Sequence, residues 1–295
     1  MTHRTTGKKV FDVFNYAFVI LVCLSCILPF VHLLAVSFSS NVAVQTNQVV
    51  FLPVDFNLYS YEFAFQNGRF LNALWISVQR VALGLIVNLL LITLTAYPLS
   101  HNKGKLLGRN IYMTFFVITM IFNGGLIPTY ILVARLGLLN SLWALVLPGA
   151  LPVFSMIVLM NFIRNLPEEL QESAMLDGAG SITILWKIMM PLLKPCLATV
   201  ALFSLVFHWN DWFMGLIYIQ NPLNYPLQTY LQFLLLRFED IMRLAGGDMA
   251  AVLSRLNAQT GRAAQLFMGA LPMLIVYPFL QKYFTTGLVM GSVKG

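Results

Sequence analysis

The chain has 295 residues, of which 59% are hydrophobic and only 10% charged, with a formal net charge of +7. Soluble domains carry about 25% charged residues. This balance, with a mean hydropathy of +0.78 over the whole length, excludes an ordinary soluble domain and points to a chain that uses lipid as its solvent.

A helix that crosses a bilayer takes roughly 20 apolar residues, so the length holds about six with loops between. The predicted spans are about 14–38, 73–99, 110–133, 141–163, 190–219 and 264–286. The first apolar run, Phe14–Phe38, is longer than a signal-peptide core of about 7–15 residues. No small-x-small cleavage site follows it, so it reads as a retained helix. Cys23, Cys26 and Cys196 all lie in apolar stretches and read as small buried residues rather than a redox or metal pair. The second span carries Arg80 and Asn88. Asn123-Gly124-Gly125 ends or bends the third. Prolines 29, 98, 128, 148, 152, 191, 195, 272 and 278 interrupt the spans, which membrane helices tolerate when neighbours satisfy the freed carbonyls. The fifth span contains Trp209, Asn210 and Asp211.

Orientation follows from Lys and Arg near the span ends. All the lysines, with Arg4, Arg109 and Arg164, fall in one set of segments. That set and both termini are predicted cytoplasmic. Loops 39–72, 134–140 and 220–263 then face outward, the last carrying an amphipathic helix over Leu231–Arg243. The basic residues form no dense stripe for a phosphate backbone, which excludes nucleic acid as a partner. The chain reads as a single membrane domain over 1–295, without a soluble domain or short-period repeat.

Segment 165–195, between the fourth and fifth spans, has unusual chemistry. Asn165 can cap a helix, Pro167 suits a first turn, and Glu168 and Glu169 favour the positive end of its dipole. Leu170, Ala174 and Asp177 follow at helical spacing. Gly178 lets the chain leave the helix. Ser181 can cap a second short helix carrying Ile184, Leu185 and Ile188, and Pro191 and Pro195 mark the return to the membrane. The result is an amphipathic helix, a glycine turn and a second helix. An interfacial helix resting on lipid would carry basic residues for anionic headgroups. This segment has four acids, and so favours a protein partner.

Here the sequence resembles a known family. Glu172-Ser173-Ala174, Asp177-Gly178-Ala179, Ile188, Pro191 and Pro195 look like the EAA motif of ATP-binding-cassette (ABC) import permeases, with Ser173 in place of an alanine and Leu185 in place of a frequent phenylalanine. Ala96-Tyr97-Pro98-Leu99-Ser100 looks like the signature that closes the second span in carbohydrate permeases, and Trp209-Asn210-Asp211 like the W-N-[DE] element of their fifth span. Together they resemble the maltose-permease-like carbohydrate uptake family. The stretch Phe122–Tyr130 and the end Gly287–Gly295 resemble the branch named for lipoprotein-operon and aldouronate-transport permeases.

The resemblance implies an all-α integral membrane protein with six transmembrane helices in the type I ABC importer permease fold. It implies half of the membrane pathway for a carbohydrate, an oligosaccharide that can contain uronic acid, derived from pectin, xylan or alginate. It also implies a second, different permease subunit, two ABC ATPase subunits and an external sugar-binding protein, a lipoprotein if the cell is Gram-positive. The location is a bacterial cell membrane. The chain has no Gly-x-x-x-x-Gly-Lys-[Ser/Thr] loop, so it has no cofactor of its own, and ATP and Mg belong to the partner ATPase.

By this resemblance Glu172, Ala174, Asp177, Gly178, Ala179, Ile188 and Pro191 couple to the ATPase. Glu172 pairs with a basic residue there, Ala174 keeps the helix slim enough for a groove, and Gly178 fixes the turn. Polar residues inside spans are functional candidates: Arg80, Asn88, Asn210 and Asp211, with Trp209, Trp212 and Tyr218 as aromatic faces for sugar rings. Arg80 either pairs with Asp211 or faces a carboxylated sugar. An ion-coupled secondary sugar transporter is the rival reading. It should show paired inverted repeats with intramembrane carboxylates in both halves, and Asp211 is the only carboxylate deep in a span. A membrane enzyme would need clustered acid–base or metal-binding groups, whereas His3, His32, His101 and His208 are scattered.

Overall fold

The computed structural model describes residues 6–66, 68–101, 106–234 and 258–292. In chain order the helices are α1 (Thr6–Ser37), α2 (Asn41–Gln45), α3 (Tyr59–Gln66), α4 (Arg69–Ser100), α5 (Arg109–Ile121), α6 (Leu126–Arg135) and α7 (Leu142–Val146). They continue with α8 (Val153–Arg164), α9 (Glu169–Leu176), α10 (Ser181–Thr183), α11 (Met190–Asn210) and α12 (Phe213–Tyr218). α13 (227–234) and α14 (Ala258–Ser292) complete the set. The described residues contain no strand.

Among the described residues three helices, Gly7–Ser37, Arg69–Ser100 and Ser181–Asn210, are long and apolar enough to cross a bilayer, and two bent pairs bring the number to as many as five. The predicted sixth span, 264–286, lies within α14. The predicted helix over Leu231–Arg243 lies outside the described residues beyond position 234, as do the last three residues of Gly287–Gly295.

The chain separates into two compact units, Met1–Phe70 with Leu231–Pro272, and Leu71–Tyr230 with Met273–Gly295. In the first, α1 starts earlier than the apolar run, because Gly7, Lys8 and Lys9 continue the helix. Its side chains from Val10 to Phe30 are almost all exposed. Cys23 and Cys26 are therefore free and exposed, contrary to the expectation of burial, whereas Cys196 in the second unit is buried. Packing begins only at the end of α1, where Ala35 and Val36 meet Ala43, Val44, Val49 and Ala263. Ser40 caps α2 by accepting from the Ala43 N–H at 3.3 Å. Phe38 stacks on Phe56 and Tyr61, and Ser37 Oγ lies 2.8 Å from the Tyr61 hydroxyl.

The second unit has a core built from α4, α8, α9 and the helix that ends in α11, with Ile92, Ala96, Met156, Leu159, Met189 and Val200 at its centre. Two predicted spans are divided. The third bends by 111° between α5 and α6. Asn123 Oδ1 accepts from the Gly125 N–H at 2.8 Å, and Gly125 has φ +91°, a backbone region that suits glycine. The fourth bends by 52° between α7, with the 3₁₀ turn Leu147–Gly149, and α8. Pro148 and Pro152 lack the N–H groups that would continue the ladder.

The carbonyls at the end of α4 are capped by two cations. Arg109 Nε donates to Leu99 O at 2.8 Å, and Arg164 donates to Ser100 O and Leu99 O at 3.3 Å each. This is the favourable end for positive charge on a helix dipole.

Close approach of α4 and α11 depends on Gly84. A Cβ there would fall on the His208 imidazole, 2.8 Å from Cε1. Gly84→Ala is expected to cost about 1–3 kcal/mol through overpacking, read as a lower midpoint of thermal aggregation in detergent. Because the clash is with one ring, the loss in Gly84→Ala/His208→Ala should be clearly less than the sum of the single losses. Additive losses would place the strain elsewhere.

Candidate functional site: a glycine turn and a broken helix

The first candidate region is the segment between α8 and α11. α9 starts later than predicted. Asn165 ends α8 rather than capping α9, Pro167 lies before the helix, and Glu168 is the N-cap. At its other end the helix closes as the sequence requires. Asp177 is the C-cap, Gly178 has φ +80°, its N–H donates to Met175 O at 3.0 Å, and the Ala179 N–H donates to Ala174 O at 2.9 Å. These two bonds form a Schellman turn.

Ala174 is buried in the chain's own core beside Ile184, Leu185 and Met189, and Ala179 and Ile188 pack against the same cluster. The small side chain thus seats α9 on its own bundle, which replaces the expected role of slimming the helix for an external groove. The opposite face is open. Glu172, Asp177 and Gly178 are exposed, Leu176 is 90% exposed and Ile182 77%. A Cβ on Gly178 would meet nothing within 4 Å.

The predicted second short helix is not separate from the fifth span. Gly180, not Ser181, is the N-cap of α10. The helix then runs unbroken from Ser181 to Asn210, through a π turn at Ile184–Met189 in which the Met190 N–H donates to Leu185 O. The wider turn ends at Met189, two residues before Pro191. Pro191, which is exposed, sits in the first turn of α11, and Pro195 lies inside it. Under the turn lies a cavity of about 550 Å³ lined by Tyr97, Pro98, His101, Met175, Ser181 and Ile182, among others.

The second candidate region is the end of α11. The helix stops at Asn210, Asp211 is extended, and α12 starts at Phe213. Arg80, fully buried on α4, forms an ion pair with Asp211 through Nη2, and its Nη1 donates to the Asp211 main-chain oxygen at 2.8 Å. The other carboxylate oxygen accepts from the Met214 N–H at 3.1 Å. Thr229 Oγ1 donates to Trp212 O at 2.9 Å, and a Cβ on Gly215 would lie 2.9 Å from the Thr229 Cβ. One carboxylate therefore joins α4 to the break and starts α12.

Ser77, Arg80, Gly84 and Asn88 share one face of α4 by their spacing. Arg80, Gly84 and Asn88 meet Asp211, just past the end of α11, and His208 and Ser204, which share one face of α11. The Asn88 amide lies 2.9 Å from Ser204 Oγ. With its nitrogen toward Gly84 O (3.1 Å) and Ala150 O (3.2 Å), its oxygen accepts from that hydroxyl. Asn88 so satisfies a carbonyl beside the bend of the fourth span. Trp209 and Tyr218 are buried, and Tyr218 stacks on Tyr130 at 6.2 Å.

Of the sequence-predicted pathway residues, Asn210 and Trp212 are exposed and Asp211 is half-buried. Arg80, Asn88, Trp209 and Tyr218 face the interior of the unit. The sequence reading missed Phe154, Phe203 and Phe207. With Asn88, Ser155 and Ser204 they line a cavity of about 380 Å³ at the bend between α7 and α8. The recurrence of Phe203, Phe207 and Asn210 at helical spacing was the available signal. It also missed His208 and Ser204, whose spacing from Asp211 matches that of the α4 face.

A polytopic helical chain with an exposed glycine turn fused to its core has the form of a transport subunit rather than an enzyme. Residues 82–290 match the family described as the inner membrane component of binding-protein-dependent transport systems. The chain belongs to this family. It is a multi-pass membrane permease of an ABC importer, which works with a partner permease, separate ATPase partners and a substrate-binding protein. It is similar to the polygalacturonan/rhamnogalacturonan transport system permease protein YtcP of Bacillus subtilis (strain 168), with 37% identity over 98% of this chain and 99% of the relative. It is also similar to Protein LplC of the same organism, with 39% identity over 99% of this chain and 98% of the relative. A crystal structure of a bacterial ABC transporter involved in import of the acidic polysaccharide alginate contains a chain that superposes with TM-score 0.87. That match has 28% identity and covers 96% of this chain and 100% of that chain.

Asp211→Ala would leave the Arg80 guanidinium buried without its counterion, a loss of about 3–5 kcal/mol for such pairs. The expected outcome is a sharp fall in folded protein, measured by size-exclusion chromatography in detergent. Arg80→Met/Asp211→Leu should recover much of it.

Proposed function

We propose that this chain forms half of the membrane pathway for an oligosaccharide that carries carboxylate groups, and that the Glu172–Pro191 region is its lever to an ATPase. The single observation that carries the lever is the Schellman turn at Gly178. It holds an exposed acidic and apolar tip on a helix whose other face belongs to the core. Motion imposed at Leu176 or Glu172 is then passed to the bundle rather than lost in a loose loop.

In this reading the tip enters a cleft of the ATPase and Glu172 pairs with a basic residue there. Asp177 and Gly178 fix the tip, and Ala174, Ala179, Ile188 and Pro191 join it to α11. ATP and Mg act in two ATPase subunits, whose closure biases the permease between two states. In this reading the termini and the turn face the cytoplasm, which the Lys distribution supports. A second, different permease covers the α1 face and completes the pathway. A binding protein delivers the sugar from outside, where the loop over 220–263 receives it. Asn210, Trp212 and the Phe203/Phe207 stripe are the side chains of this unit that remain open to a sugar. The substrate class rests on one relative named for polygalacturonan/rhamnogalacturonan transport and on the similar chain of the alginate importer.

The test is uptake in membranes that contain the whole importer. Glu172→Lys and Gly178→Asp should abolish uptake while the chain stays in the membrane at near-normal amounts, and ATPase co-purification should fall. Normal co-purification and uptake in both would sink the lever. Arg80 bears on the substrate differently. Because it is buried against Asp211, its removal should weaken uptake of uronate-containing and neutral oligosaccharides alike. A loss confined to the acidic sugars would instead make Arg80 a carboxylate reader.

A further inference from the structure

The α4 face has a use beyond holding two helices together. The break in the fifth span leaves Asn210 and Trp212 exposed on one side. On the other side Asp211 and Trp212 are gripped from behind. Arg80 binds both a carboxylate oxygen and the main-chain oxygen of Asp211. Asp211 binds the first turn of α12, and Thr229 binds Trp212 O. A charge pair alone would need only the carboxylate. The second bond, to the main chain, fixes where the backbone turns, and it uses the planar fork that distinguishes arginine from lysine. Leu227 N–H donates to Ser77 Oγ at 2.7 Å, one turn of α4 away, so the segment that carries Thr229 is tied to the same helix.

We propose that Arg80 is a positioning residue for the transport step. By its fork it sets the backbone at Asp211, and so the placement of Asn210 and Trp212 toward the sugar, without touching the sugar itself. This rests on the reading of Asn210 and Trp212 as pathway residues.

The experiment uses the whole importer in nanodiscs and liposomes, with two readouts. Amide exchange over 207–218 reads the clamp directly. Sugar imported per ATP hydrolysed reads its consequence. Arg80→Met/Asp211→Asn leaves no unpaired charge and should assemble normally. Its exchange over 207–218 should rise about ten-fold, and import per ATP should fall roughly five-fold, within the range by which coupling residues act. ATPase activity stimulated by the sugar-loaded binding protein should stay within about two-fold of wild type on the same grounds. Arg80→Lys keeps the charge but not the fork and should also loosen the segment.

Three results would overturn the proposal. The first is unchanged exchange in the double variant. The second is raised exchange with wild-type import per ATP. The third is an Arg80→Lys protein equal to wild type on both readouts, which would reduce Arg80 to a charge. If the wild-type importer moves no oligosaccharide, the functional reading fails separately, and the exchange readout still decides the clamp.

Discussion

Inside hydrocarbon, a backbone group that loses its helical partner must find another within the protein, and that constraint governs this chain because its helices are so often interrupted. Each interruption in the second unit carries its own compensation. Asn123 turns back on the Gly125 N–H at the break between α5 and α6. Asn88 reaches Ala150 O at the bend before α8. Arg80 takes the Asp211 carbonyl at the end of α11. Two of these three side chains, Asn88 and Arg80, stand on one face of α4, which runs as a single helix from Arg69 to Ser100. Polar residues that look costly in an apolar helix are thus the groups that allow its neighbours to bend.

The exposed turn obeys the same accounting with different chemistry. Its carbonyls are closed by main-chain N–H groups through the left-handed Gly178 rather than by side chains. That leaves the side chains of Glu172, Leu176 and Asp177 to face outward. Ala174 is small because α9 lies directly on the core, so the tip has little freedom to swing independently of Ile184 and Leu185. Burial on one face and exposure on the other are what a lever requires.

Much of this was legible in the sequence, for physical reasons. Apolar runs of span length show themselves by composition, and the glycine turn shows itself because only glycine occupies φ near +80° without strain. Three features were hidden. The second short helix expected over Ser181–Ile188 is the start of the fifth span, because the chain passes through a π turn at Ile184–Met189 into α11 without a break. The capping positions shifted, since Asn165 and Ser181 are local candidates whose use depends on where neighbouring helices end. The bends at Phe122–Gly125 and Leu147–Pro152 were marked by Gly and Pro, but their angles come from packing that no local pattern encodes. Arg80 and Asp211 lie 131 residues apart. Their pairing was one of two open readings, and only the fold chooses between them.

The unbroken helix from Ser181 to Asn210 joins the two candidate regions. Its 30 residues give a rod of about 45 Å at 1.5 Å per residue, enough to cross a bilayer. One end follows directly from the Gly178 turn, and the other stops at the residue before the Arg80-held break. A rod transmits displacement only if neither end slips. Ala174, Leu185 and Met189 secure the first end in the core, and the guanidinium fork secures the second. A helix with a loose break would let the push from the turn dissipate as local unwinding at Asp211. The position of a buried arginine at the far end of the helix that starts at the Gly178 turn is therefore a mechanical requirement of the proposed lever, and the same bonds that satisfy a stranded carbonyl meet it.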